Sequence, residues 1–409
     1  MTNILFVHNM FPGRFLFLVE PLLKAGHRCA AIAQFGKALP DVPLFRWKAT
    51  RSSTSGLEEL AVRAETDFIR GRAAAEQAVA LRDAGFVPDL IISHPGWGET
   101  VFMKEVFPQA KLILVAEFYY VAEGGDVGFD PEFGELTLQQ RCRVHAKNAT
   151  MAMTLAQADA IICPTPYQAG VLPAVFRERA QIIHEGIDIE KVVRRPVAPL
   201  KLGSGVVLDG SHPVVTVVNR RFEPLRGFHI IMRALPRILD EVPDAHVLLI
   251  GADGERGYGL EPPSGRTWKQ QMLAELDGKL DPSRMHFTGS VSYELMLAAM
   301  SISWAHVYYT YPFVLSWSLM EAMACECLIV ASDTTPLHDV ITSGRNGILN
   351  NFFDIGALSQ SVIDACRRPA DFLEMRKAAR ATVIEQYDQH RICLPAWLSL
   401  IENVAANRQ

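Results

Sequence analysis

The stretch from Tyr311 to Gly347, YPFVLSWSLMEAMACECLIVASDTTPLHDVITSGRNG, holds residues whose types and spacing bear directly on chemistry. A loop from Tyr311 to Ser316 leads into a helix expected to begin near Trp317. A loop feeding a helix N-terminus offers unpaired backbone N–H groups and a positive dipole end, which suits a phosphate. Glu321 falls about one turn inside, where it could accept hydrogen bonds from ribose hydroxyls. The alternative is a buried amphipathic helix whose glutamate pairs with a neighbouring base, and pattern alone leaves both open. A second feature is NRRFEPLRGF, with Arg221, Arg226 and Gly227 after an apolar run. Two cations on one loop at the carboxyl end of a strand can clamp a diphosphate, and arginine does so bidentately. Gly227 would let the backbone approach closely. Surface loops with three arginines are also common, so the coupling to Glu321 gives the signal its weight. SHPGWGE places His94, Trp97 and Glu99 just after an apolar strand. The histidine and the acid make a reasonable acceptor-side pair, with capping, and a core role for Trp97, as the bland alternative.

These residues need elements to position them. ILFVHNMFPGRFLFLVEPLLKAGHRCAAIA reads strand, loop, helix, strand, a βαβ unit that implies a parallel sheet. Its Pro12-Gly13 loop lies at a strand's carboxyl end, where open α/β sheets bind ligands. The pattern recurs in PDLIISHPGWGE and in AKLILVAEFYYVAEGGDVGF. It returns further on in VVTVVNRRFEPLRGF and in AHVLLIGADGERGYG, whose turn carries Gly251, Asp253 and Gly254. Helices are expected over 57–85, 135–158 and 355–380. Domains are expected at 1–195 and 211–385, with a Pro/Gly-bearing linker at 196–210. An amphipathic helix is expected at 386–409.

MEAMACECLIVASDTTPLHDVITSGRNGIL resembles the nucleotide-sugar signature of the retaining family 4 glycosyltransferases, which have the GT-B fold. HNMFPGRF, SHPGWGE, EFYY and IIHEGID resemble one bacterial subgroup of that family. The resemblance implies an α/β protein with two Rossmann-like parallel-sheet domains facing an interdomain cleft, and a final helix crossing back to the first domain. In that family two glutamates flank a Gly-Phe-Gly. Here the second is Glu321, the first falls on Phe313, and the Gly-Phe-Gly falls on Val314, Leu315 and Ser316. Phenylalanine cannot accept a hydrogen bond. Sugar recognition has then moved to another group such as Asp333 or Glu117, or the donor differs, or catalysis is lost. By the same resemblance Arg226-Gly227 replaces a Lys-Gly, and the turn at Gly289, Ser290 and Val291 borders the base. Gly13 approaches the diphosphate and the acceptor, and His184, Glu185 and Gly186 lie in the segment between domains. Many members carry a sugar-facing histidine about where Glu117 stands. A carboxylate there could stabilise positive charge at the anomeric carbon, bind sugar hydroxyls, or pair with Arg141 or Arg143. Tyr119 follows as an acceptor-side candidate.

The implied activity is retaining, metal-independent hexosyl transfer from a nucleoside-diphosphate sugar to a saccharide, lipid-linked or protein acceptor in surface polysaccharide or glycoconjugate synthesis. Catalytic candidates are Glu117, Arg221, Arg226 and His94. No cofactor is expected, and no metal, because no Asp-X-Asp follows an apolar strand. The rivals are a sugar-nucleotide epimerase, a phosphorylase lacking any marked pyridoxal-phosphate lysine, and a silent nucleotide-sugar-binding module.

Composition bounds the rest. A chain of 409 residues suggests two domains, and 49% hydrophobic with 21% charged residues is ordinary for a globular protein. A net charge of −5 without basic runs argues against nucleic acid. Seven cysteines in apolar contexts read as reduced, buried thiols of a cytoplasmic protein. Peripheral contact with the inner face of the membrane stays open. The uncharged stretch between Glu294 and Glu321 contains Pro312 and several polar groups, and its apolar run is well short of about 20 residues, so it is not read as a membrane span.

Overall fold

The computed structural model describes residues 1–203, 205–254, 257–263 and 265–406. The chain divides into one unit of Met1–Gly186 with His390–Gln409, and a second of Ile187–Gln389. Each is built on a parallel sheet whose strands are apolar on both faces, the pattern required when helices cover both sides.

In the first unit the sheet runs Leu44–Arg46, Arg28–Ala33, Asn3–Val7, Leu90–Ser93, Lys111–Val115, Ala160–Cys163, Ala180–Ile182, all neighbours parallel. Two apolar clusters fill its faces. One joins Leu5, Ile32, Ile91 and Leu112 to Ala74, Ala78 and Leu81 of the helix Val62–Asp83. The other joins Ile4, Phe6 and Ile92 to Leu18 and Leu22 of the helix Leu16–Lys24 and to Trp397, Leu400 and Ile401. Those last three lie on the helix Leu394–Ala406, so a segment far along the chain completes this core.

In the second unit the order is Met285–Gly289, His246–Ala252, Val214–Arg221, Ala305–Tyr308, Ile329–Ser332, Ile348–Asn350, again parallel. Residues 196–210 contain a short antiparallel pair, Leu200–Lys201 with Val207–Leu208, and Val192, Leu200 and Leu208 lie in this unit's core. The strand order reverses between Asn3–Val7 and Leu90–Ser93 in the first unit, and between Val214–Arg221 and Ala305–Tyr308 in the second. Open α/β sheets bind ligands at such switch points, at the carboxyl ends of the strands.

Three expectations change. Residues 135–158 form two helices, Leu138–Ala146 and Ala149–Leu155, instead of one. The break falls at Lys147-Asn148, where the Asn148 amide accepts from the Tyr120 N–H and donates to the Tyr120 carbonyl. Residues 355–380 are likewise divided, into Ile355–Arg367 and Leu373–Tyr387, with Pro369 opening the turn between them. Of the seven free cysteines Cys142 is exposed, because it lies on the open side of the helix Leu138–Ala146, while the others are buried. Among the described residues no helix is long and apolar enough to cross a membrane. The uncharged stretch before Glu321 is the helix Tyr293–Ile302, the strand Ala305–Tyr308 and a loop.

Candidate active site

In the first unit the ends of three adjacent strands bring together charged groups that sequence separates widely. Val115 ends its strand and Glu117 follows. Arg14 comes from the turn after the first strand, and His94 follows the strand Leu90–Ser93. Arg14 Nη1 lies 3.5 Å from Glu117 Oε1, and Arg14 Nε donates to Glu185 Oε1 at 2.9 Å. His94 Nδ1 accepts the Gly96 N–H at 3.1 Å, which leaves Nε2 to carry the proton and donate to Glu117 Oε2 at 3.1 Å. The capping role expected of His94 is present, and the same ring reaches Glu117. Gly96 is required here, since a Cβ would come within 2.6 Å of the His94 ring.

Burial works against ionisation of Glu117, but Arg14 above all, then His94 and His8, overcome it and hold the carboxyl below its ordinary range. The carboxylate is not sealed off, for its side chain stays 40% exposed. Arg14 is buried, which disfavours its charge, yet Glu185 and then Glu117 raise it further. His8 is pushed down to about 3, by burial first and by His94 second, and is neutral at physiological pH. The alternative pairing of Glu117 with Arg141 or Arg143 does not occur: Arg141 meets Glu123, and Arg143 meets Glu59.

The other first-unit candidates fall in different surroundings. Gly13 opens a short turn beside His8. Trp97 is half-buried, its carbonyl facing Arg70. Tyr119 packs against the apolar cluster, and burial raises its hydroxyl. Glu99 departs most from expectation. It is 0% exposed and neither carboxylate oxygen has a hydrogen-bond partner, so it presents nothing to an acceptor at the surface. Burial, only partly opposed by the charge of Arg70, pushes its carboxyl up to about 7.

In the second unit Arg221 ends the strand Val214–Arg221, and Arg226 ends a short turn after it, so the two cations occupy different elements. Arg226 Nη1 donates to Tyr308 Oη, Thr310 Oγ1 and the Val314 carbonyl at 3.2, 3.2 and 3.1 Å, and its guanidinium lies 5.3 Å from the Phe313 ring centre. Phe313, in the place of the family's glutamate, thus takes a cation on its face. Arg220 behaves similarly toward Tyr258, donating to its hydroxyl at 2.7 Å. Gly227 has φ +63°, and a Cβ would meet Tyr309 Cβ at 2.3 Å, so close packing on the neighbouring strand end demands glycine.

The helix Trp317–Ala324 follows Ser316, and Glu321 lies within it as expected. Its N-terminus is less open than the sequence implied. The Ser316 N–H donates to Tyr308 Oη at 2.9 Å and the Ser318 N–H to Ser316 Oγ at 3.3 Å. Glu321 is buried, and Oε1 accepts from Tyr293 Oη at 2.7 Å. Burial raises its carboxyl, and the tyrosine hydrogen bond opposes that. Leu315 and Val291 pack on the unit's core, while Ser290 is exposed beside it. Gly251 lies in the strand His246–Ala252 against the Asn219 carbonyl. Asp333 pairs with His338. Sequence reading missed Arg14, His8, Tyr293 and Tyr308. Arg14, directly after Pro12-Gly13, carried the only local signal; the others matter through partners distant in sequence.

Residues 25–192 match the model described as Glycosyl transferase family 4 group, and residues 212–368 the one described as Glycosyl transferases group 1. A phosphatidyl-myo-inositol mannosyltransferase of Propionibacterium freudenreichii is 25% identical over 51% of this chain and 51% of its own length. A D-inositol 3-phosphate glycosyltransferase of Streptomyces avermitilis is 25% identical over 55% of this chain and 48% of its own. The chain therefore spans about half the length of the curated relatives it matches. Among solved structures, sucrose-phosphate synthase from Thermosynechococcus elongatus aligns over 100% of both chains at TM-score 0.72 and 17% identity. Anabaena HepE, solved with UDP and glucose, aligns over 98% of this chain and 100% of its own at 0.66 and 16%. At such identities the structural likeness concerns the fold.

Proposed function

We propose that this chain, whose residues 25–192 and 212–368 match glycosyltransferase models and which has the two Rossmann-like units of the GT-B fold, moves a sugar from a nucleoside-diphosphate donor onto an acceptor hydroxyl. The observation that carries this reading is in the second unit. Arg221 and Arg226 stand at the switch point of the sheet, Arg226 is tied to the loop before a helix, and Glu321 sits about one turn into that helix. These are the groups a diphosphate and a ribose need. Reorganisation is part of binding on this account. A ribose hydroxyl would share Glu321 with Tyr293, and a phosphate would take N–H groups now held by Tyr308 and Ser316.

The reaction follows from the charges. The bond from the anomeric carbon to the diphosphate oxygen breaks, and its electron pair leaves with the nucleoside diphosphate. Arg221 and Arg226 meet that negative charge without a metal. The acceptor oxygen bonds to the anomeric carbon on the same face, so configuration is retained, and its proton passes to the leaving phosphate. Glu117, ionised and still accessible, stabilises the positive charge at the sugar, while Arg14 and His94 hold it in place. The phosphatidyl-myo-inositol mannosyltransferase and the D-inositol 3-phosphate glycosyltransferase support an acceptor among inositol phosphates or their lipids, and HepE supports UDP among the nucleotides. A role in surface polysaccharide or glycoconjugate synthesis, in the cytoplasm or at the membrane's inner face, remains part of the proposal.

The experiment is hydrolysis of UDP-, GDP-, dTDP- and ADP-sugars by the purified chain, with chelator present and a panel of acceptors. Release of one nucleoside diphosphate is the expected result. Binding without release under every acceptor condition would favour the silent module, for which Phe313 in place of a glutamate is the specific observation.

A further inference from the structure

The first unit holds a cavity of about 230 Å³ that no step above uses, lined by Glu59, Arg63, Thr66, Arg143 and Lys147 among others. Three cations there face one lining carboxylate. Glu59 pairs with Arg143 at 2.9 Å, and the buried Asp67 takes one edge of Arg63 at 2.9 Å. Lys147 has the face of Tyr120, its ammonium 4.5 Å from the ring centre. Burial lowers the Lys147 ammonium, Asp126 opposes this, and Arg143 and Arg63 lower it further.

The helix dipole does not account for the group. Arg143 and Lys147 close the helix Leu138–Ala146, where cations are favoured, but Arg63 stands in the first turn of the helix Val62–Asp83, where they are not. Arg143 and Lys147 also share one helix face at i and i+4, a spacing at which like charges repel. Two links tie the cavity to the residues around Glu117. Arg63 Nη2 donates to the Gly96 carbonyl in the turn that His94 caps, and Asn148, next to Lys147, clasps the Tyr120 backbone. The volume lies below the roughly 300 Å³ at which sites for whole drug-sized ligands begin, a size suited to one group of a larger molecule.

We propose that this cavity seats a phosphate ester of the acceptor, held by Arg63, Arg143 and Lys147. The inference rests on the transfer reading for the word acceptor; the anion site itself does not. Arginine and lysine together give a phosphate bidentate and point-charge contacts, and Thr66 adds a hydroxyl at the wall.

The test is calorimetric titration of inorganic phosphate and glucose 6-phosphate into the full chain at fixed ionic strength. Three proteins are compared: wild type, the Arg143→Gln/Lys147→Gln double variant, and a charge-matched Arg72→Gln/Arg82→Gln double variant on the exposed side of the helix Val62–Asp83. Circular dichroism melts check that all are folded. Saturable binding by wild type, weakened about tenfold or more in the first variant and little in the second, is the expected result. Flotation with phosphatidylinositol-containing and pure phosphatidylcholine vesicles separates the sources. Retention on the former alone assigns a lipid headgroup, and glucose 6-phosphate binding without vesicles assigns a soluble ester. No saturable binding in either arm, or equal weakening in both variants, overturns the site. Donor hydrolysis by wild type is read separately: its absence beside intact phosphate binding would overturn the transfer reading and leave the anion site standing.

Discussion

Single residues divide into those whose chemistry is exposed to a ligand and those whose chemistry is spent inside. Glu117 belongs to the first kind. Glu117→Gln keeps shape and loses charge, so turnover should fall about a hundredfold or more, the scale of losing one electrostatic contact to a transition state. Donor affinity, measured by calorimetry, should hardly change. An equal loss of affinity would place Glu117 in ground-state binding. Glu99 belongs to the second kind, and its raised carboxyl gives a signed prediction. Its folded value of about 7 lies above the ordinary 4.5. The neutral form thus contributes stability that is complete below about 4.5 and lost as pH rises through about 7. Glu99→Gln cannot ionise, so its stability relative to wild type should rise between pH 5 and 8, by up to about 3 kcal/mol at 1.4 per unit of pKa. Urea melts at the two pH values read this, and a pH-independent difference would show that the buried carboxyl is not raised. His8 acts in the opposite window. Its depressed value near 3 makes its contribution complete above about 6.5 and lost as pH falls toward 3.

At the scale of elements, the loop carrying Arg226 is fixed by packing before any ligand arrives. Gly227 abuts Tyr309 with φ +63°. Gly227→Ala should cost about 2 kcal/mol or more, from the left-handed backbone plus the clash. It should also weaken nucleoside-diphosphate binding by displacing Arg226. Retained stability with retained affinity would mean the loop adapts freely. The helix bearing Glu321 makes a cleaner test. Glu321→Ala should weaken nucleoside-diphosphate binding by about 1–3 kcal/mol, the cost of hydrogen bonds to a charged group. Tyr293→Phe, which frees Glu321 of its internal partner, should not weaken it. Unchanged affinity in Glu321→Ala would remove that residue from the ribose.

At the scale of the whole molecule, the chain's last helix belongs to the unit built by its first residues. Trp397 is fully buried there, and its Nε1 donates to the His184 carbonyl at 3.2 Å. Trp397→Ala should destabilise the first unit by about 3–5 kcal/mol. The second unit's unfolding should stay where it was, so a melt with a tryptophan-independent probe should show two transitions where wild type shows less separation. Displacement of both transitions together would show the two units to be one cooperative body.

The sequence by itself determined the class and the places of the strand ends that carry the candidate residues. Apolar runs ending in His94, Glu117 and Arg221 mark parallel strands, because strands covered on both faces must be apolar and leave their polar residues at the ends. The stretch around Glu321 carried the family resemblance. Local pattern also located the helix Leu16–Lys24, and the start of the helix Trp317–Ala324, to within a residue. Only the tertiary structure decided what those end residues touch. Arg14 and Glu185 are 171 positions apart, and no periodicity links them; the strand order does. Glu99 read as the acceptor-side partner of His94 because sequence shows charge and not depth. Asn148 broke an expected helix because its partner, Tyr120, lies in another loop. Tyr293 and Tyr308 read as ordinary aromatic residues until the fold set their hydroxyls against Glu321 and Arg226. Hydrogen bonds and desolvation act over a few ångströms of space, and in this chain those ångströms span scores of residues.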